Sequence, residues 1–126
     1  MKKCLFLILL IPTSLFAFSY ENCLAEAKDL NANPQKMSDE VLIFLEQSCE
    51  KTPVTYVQLF KFTPEIEEQM NSKPGMESKM KFFAKMAMQP FFCQRIGNKR
   101  EGRIRFILMK DNRVWDNTLI DYKNCR

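Results

Sequence analysis

The chain contains no histidine. That removes the commonest general base and the commonest zinc ligand. A serine or threonine nucleophile then has no imidazole partner, so the usual hydrolase triad is excluded. Glycine is nearly as scarce: three residues, at 75, 97 and 102, leave no glycine-rich phosphate loop. No Cys-x-x-Cys pair occurs, which argues against a thioredoxin-type redox centre, and no cysteine pair has the short spacing of a zinc site. Internal repeats and low-complexity tracts are also lacking, and nothing suggests a second domain.

What is present begins with a targeting pattern. Lys2 and Lys3 precede an apolar run from Cys4 to Ile11, Pro12-Thr13-Ser14 breaks it, and Ala17 or Ser19 offers a small residue for cleavage. This is the grammar of a secretory signal peptide, and the run is too short for a membrane-spanning helix. The expected organisation is a signal at 1–17 and one domain at 18–126, exported to the periplasm or secreted. The formal net charge of +4 includes Lys2 and Lys3.

Of five cysteines, four lie beyond the signal: Cys23, Cys49, Cys93 and Cys125. An even number in an exported chain predicts two disulfides, and spacing alone permits three connectivities. Local structure narrows the choice. Cys23, Ala27 and Leu30 share a helical face between Glu21 and Leu30, and Asn31-Ala32-Asn33-Pro34 ends that helix. Ser38 reads as the N-cap of a second helix, with Val41, Leu42, Leu45 and Cys49 on its buried side. Two antiparallel helices would place Cys23 beside Cys49.

Val54 to Phe62 is rich in β-branched and aromatic residues and reads as a strand packed on both sides. Ser72-Lys73-Pro74-Gly75 is a loop. From Met76 the helical period returns, with Phe83, Met86, Pro90 and Cys93 at spacings of three and four. Pro90 is expected to kink or interrupt this helix, and Gly97-Asn98 to end it. Arg103 to Lys110 and Arg113 to Tyr122 flank Asp111-Asn112, which predicts a hairpin with a two-residue turn. That register sets Met109 opposite Val114, Leu108 opposite Trp115 and Ile104 opposite Leu119. Ile104, Phe106, Leu108, Trp115 and Leu119 then form an apolar face toward the helix that carries Cys93, with Cys125 on the same face by parity. This favours Cys93–Cys125.

Pro90-Phe91-Phe92-Cys93, Ile104 to Lys110, Asp111-Asn112 and Ile120 to Cys125 together give a layout that resembles a group of small, uncharacterised bacterial periplasmic proteins. The resemblance covers under half the chain. It implies a two-layer fold and the Cys93–Cys125 bridge, and it transfers no catalytic residue. The expected fold is a two-layer α+β domain, an antiparallel sheet of about three strands packed on helices.

Charge is segregated. Residues 18 to 50 carry seven acids against Lys28 and Lys36, whereas Arg95, Lys99, Arg100, Arg103, Arg105, Lys110 and Arg113 face only Glu101 and Asp111 between them. Arg95, Lys99, Arg100, Arg103, Arg105 and Arg113 are the candidate binding face, either for an acidic partner or as plain solvated surface. The frequent methionines read as core filling rather than a metal cluster. Glu67 with Glu68, and Asp116 with Asp121, read as solvated surface rather than an acid–base pair. No cofactor or metal is called for. The expected function is a non-enzymatic interaction protein of the bacterial envelope (accessory, immunity or virulence-associated) that binds a protein partner. The alternatives are a binder of anionic lipid, lipopolysaccharide or another polyanion through the basic hairpin, and a small hydrolase without histidine. Export disfavours nucleic acid.

Overall fold

The computed structural model describes residues 17–126; the signal expected at 1–17 lies, apart from Ala17, outside them. Helix α1 (Tyr20–Ala32) begins at Ser19, whose hydroxyl accepts from the Asn22 amide at 3.1 Å, and buries Cys23, Ala27 and Leu30 as their spacing requires. A 3₁₀ turn (Pro34–Met37) leads to strand β1 (Leu42–Lys51), then β2 (Val54–Phe62). Helices α2 (Pro64–Ser72) and α3 (Met76–Ile96) follow, then strands β3 (Arg103–Lys110) and β4 (Arg113–Asp121) and a final 3₁₀ turn (Lys123–Cys125). The fold is α+β in two layers. The sheet has four strands in the order β1-β2-β3-β4 and is mixed, not the three-stranded antiparallel sheet expected. The central pair, β2 and β3, is parallel. Residues 63–102 carry the chain back across the sheet between them, as a parallel connection demands.

The second expected helix is strand β1. Its apolar residues imitate a helical period because the strand bulges at Leu45: Phe44 pairs with Phe60, Glu46 with Leu59, and Leu45 is left over and exposed. The bulge turns spacing-two alternation into a three-residue step between the buried residues Phe44 and Gln47. Ser38 is not a helix cap. Its hydroxyl accepts from the Phe44 amide and donates to the Pro34 carbonyl. Thr52-Pro53, joined by a cis peptide bond, turns β1 into β2.

The Asp111-Asn112 turn is as expected, with both residues at positive φ, and Met109 pairs with Val114. Beyond that the register shifts by one, because Trp115 is bulged out of the ladder. Leu108 therefore pairs with Asp116, not Trp115, and Ile104 with Ile120, not Leu119. Ile120 takes the core position, and Leu119 turns to the other face with Arg105, its partner. Trp115 still reaches the core side: its ring meets Phe62 edge-on at 5.2 Å, and its indole N–H donates to Glu77 of α3 at 3.2 Å.

The core lies between the helices and one sheet face, around Phe44, Phe60, Phe62, Phe92, Ile96, Ile104, Phe106 and Leu108. On α3 the inward line is Ala84, Phe92 and Ile96, with Met80 and Met88 half-buried beside it. Phe83, Met86 and Pro90, expected on that line, are exposed instead. The helix also runs through Pro90 without interruption. The amide it lacks would have bonded the Met86 carbonyl, and Met86 is on the solvent side, where water can replace it. Cys23 is bonded to Cys49 and Cys93 to Cys125. The first bridge joins a helix to a strand rather than two helices, and Cys125 sits in the closing 3₁₀ turn rather than on a strand.

Gly102 is buried where α3 returns to β3, and a Cβ there would lie 2.9 Å from Cγ2 of the fully buried Ile96 and 3.2 Å from the Lys99 carbonyl. Gly102→Ala is expected to destabilise the domain by about 1–3 kcal/mol through overpacking, measured as a lower midpoint in denaturant titration.

Candidate functional site

Among the described residues three helices contribute buried residues to one face of the sheet, and none covers the other, open face. Pairing lays that open face out as a grid. Across β1, β2, β3 and β4, one row reads Ser48, Val57, Arg105, Leu119, and the next reads Glu46, Leu59, Ile107, Asn117. Lys61 and Met109 continue it on one side, with Ile43 and Val114 as their outer partners. On the other side Arg103 donates to the Thr55 hydroxyl at 3.4 Å and lies 3.9 Å from the Asp121 carboxylate. Arg105 donates to the Asn117 side chain at 2.7 Å. The two arginines lie beside Thr55 and Val57, both buried although they are on the open face. Long cationic side chains cover neighbours in this way with their stems. Glu46 and Glu50 stand exposed on β1, so the face carries both signs of charge around a half-buried apolar centre.

The basic residues expected to form one surface are divided. Arg103 and Arg105 are on the open face. Arg95 is on the helix side, ion-paired with Glu26 of α1, with its guanidinium over the rings of Phe18 and Tyr56 at 5.9 and 5.4 Å. Lys99 and Arg100 follow the end of α3, and Arg100 lies 5.8 Å from the Tyr122 ring, which Arg126 also covers at 4.3 Å. Arg113 is at the hairpin tip opposite Lys110, whose ammonium turns to Asn71 and Glu77 on the helices. Lys110 is held protonated above its ordinary range, first by its hydrogen bond to Asp111. The Arg126 hydrogen bond lowers the Tyr122 phenol pKa.

Three of the four carboxylates singled out in the sequence are bonded to main-chain amides. Glu67 accepts from the Asp111 amide, Asp116 from the Asn117 amide, and Asp121 from the Asn124 amide. Among the described residues no group of three or more cysteine or carboxylate side chains is placed to hold a metal ion, and no helix is long and apolar enough to cross a membrane. Of the buried polar residues, Gln47 and Gln58 lie in the core. Gln58, fully buried, donates to Gln47 at 2.9 Å, and Gln47 donates to the Cys23 carbonyl at 3.2 Å; the Gln58 side-chain oxygen has no partner among the described residues. Sequence reasoning missed Glu46, Glu50 and Ser48 on the open face because it read their strand as a helix. It also read β2 as packed on both sides, whereas Val57, Leu59 and Lys61 face no helix among the described residues. The available signal was Lys61, a cation too costly to bury without a partner.

Comparison with protein-family models, curated proteins and solved structures finds no match for this chain.

Tyr56 reports on the helix-side cluster. Burial and the nearby Glu26 charge push its phenol up from 10.0 to about 12, against the opposing pull of Arg95 and of its hydrogen bond to the Ser19 carbonyl. Between these values the unfolded chain has lost the phenolic proton and the folded chain has kept it, so stability falls as pH rises through this window. Spectrophotometric titration should show one late-ionising tyrosine, absent in Tyr56→Phe, and the variant should lose that part of the alkaline decline.

Proposed function

We propose that this chain is an exported, non-enzymatic binding protein of the bacterial envelope that receives a protein partner on the open face of its sheet. The observation that carries this reading is the grid of Val57, Leu59, Ile107 and Leu119, half-covered by Arg103 and Arg105 and flanked by Glu46 and Glu50. An apolar centre with a polar, mixed-charge rim is the anatomy of a protein-binding surface. Glu46 and Glu50 weigh against a polyanion on this same face, since like charges would meet there. Two disulfides support an oxidising compartment, the periplasm or the exterior. The engagement of Glu67, Asp116 and Asp121 by main-chain amides supports a binding role over carboxylate catalysis.

Affinity capture from the envelope and secreted fractions, read by quantitative mass spectrometry, tests this with matched variants. Arg105→Glu and Leu119→Ser alter the open face without touching the helix layer. A partner held by the wild-type chain should be lost at least about tenfold by each variant, the scale of one central interface residue. A partner set that both variants retain in full would overturn the proposal.

A further inference from the structure

Helix α3 carries two apolar stripes, and the fold uses only one. The unused stripe is Phe82, Phe83, Met86 and Pro90, recurring at the three- and four-residue spacing that places side chains on one side of a helix. Phe82, Phe83 and Met86 are 68%, 58% and 61% exposed. Large apolar residues left in water together mark a contact surface, unlike scattered ones. The cations around them point to what they contact. Lys79 falls within the stripe at three and four residues from Phe82 and Phe83, and Lys85 borders it, whereas Lys81 turns to the other side and lies over the Trp115 ring at 5.5 Å. Glu77 is the only acid on the helix, and it is already engaged by Trp115 and Lys110. Among the described residues neither Lys79 nor Lys85 forms an ion pair.

We infer that α3 is a membrane-surface element that seats Phe82, Phe83 and Met86 at the acyl boundary of an anionic bilayer, with Lys79 and Lys85 among the headgroups. An amphipathic helix with aromatic residues on one face and lysines beside them binds in the plane of the interface. Each lysine near an anionic surface strengthens binding about fivefold. A second copy of this chain fits the stripe poorly, because a self-complementary contact would oppose the same unpaired lysines with no acid between them. The stripe is on the helix layer and the open sheet face is on the opposite side, so a bilayer and a protein partner can be held at once. The inference stands independently of the partner proposed above.

Co-sedimentation of the disulfide-bonded protein with phosphatidylglycerol-containing vesicles, and with pure phosphatidylcholine vesicles, tests it. Binding is expected only to the anionic vesicles and should weaken with salt. It should fall at least about tenfold in Phe82→Ser/Phe83→Ser and in Lys79→Glu/Lys85→Glu, in line with the lost apolar area and charge. Arg105→Glu, on the open face, should bind as the wild type does, and this separates the result from the partner assay. Phe82→Trp keeps the stripe apolar and supplies a gain of signal, its added emission shifting to the blue on anionic vesicles. No vesicle binding, equal binding to neutral lipid, or full retention by the double serine variant would each overturn the inference. So would a lipid-free dimer in analytical ultracentrifugation that the double serine variant dissolves.

Discussion

The contact on which the domain depends is that between Phe92 of α3 and Phe106 of β3, with ring centroids 5.8 Å apart. It closes the crossover that makes β2 and β3 parallel neighbours. Without it the returning helices would have no fixed seat on the sheet. Phe60 on β2 continues the aromatic chain from Phe106 at 5.2 Å, and Phe44 on β1 continues it from Phe60 at 5.3 Å. One row of rings thus runs from the helix across three strands. Aromatic pairs in such tilted or edge-on arrangements add about 0.5–1.5 kcal/mol each beyond the area they bury. The bridge from Cys93 stands one residue from Phe92, so the covalent tie reinforces the same junction. Closing loops of 26 and 32 residues, the two bridges each contribute about 3–4 kcal/mol on the chain-entropy model.

A sheet with an edge at β1 and a bare face must still avoid pairing with itself. On β1 the outer edge is occupied by side chains. The Asn31 amide group accepts from the Gln47 N–H at 2.7 Å and donates to its carbonyl at 3.0 Å, much as a neighbouring strand would. Ser38 accepts from the Phe44 N–H, and Asp39 accepts from the Val41 and Leu42 amides. On β4 the edge is bent by the Trp115 bulge, and the Asn117 amide is turned to the Asp116 carboxylate. Bulges and occupied edges are the usual defences against edge-to-edge association. A partner therefore meets fewer free main-chain groups at the edges than a plain sheet offers, and the open face is the more accessible feature.

The sequence made the layer architecture, the first helix, the β2 strand, the hairpin turn and both cysteine pairings legible, and each failure has a local cause. Leu45 and Trp115 are bulge residues, and a bulge is a step in register that alternation cannot reveal. The first made a strand look helical, and the second moved Leu119 off the core face and put Ile120 in its place. The Cys23–Cys49 pairing emerged from two supposed helices. It holds because α1 and β1 also bring those two residues together, so the cysteine position constrained the answer more than the element did. The basic cluster was the least legible feature. A run of cations from 95 to 113 spans the end of a helix, a loop and a whole strand, and Arg95 and Arg105 consequently finish on opposite sides of the sheet.

The α3 stripe shows most clearly where pattern reading ends. Phe83, Met86 and Pro90 satisfy the helical period as well as Ala84, Phe92 and Ile96 do, and the period cannot say which side meets the sheet. Volume and charge decide. The inward line has small Ala84 in its first half and large Phe92 and Ile96 in its second, where β3 supplies Ile104 and Phe106. The outer line holds Lys79 and is bordered by Lys85, which a closed core could not accept without paired acids. Burying the outer line in the domain would have stranded two cations. Leaving it in water exposes two phenylalanines and a methionine. A surface that is apolar at its centre and anionic around it relieves both conflicts, and an anionic bilayer has that composition.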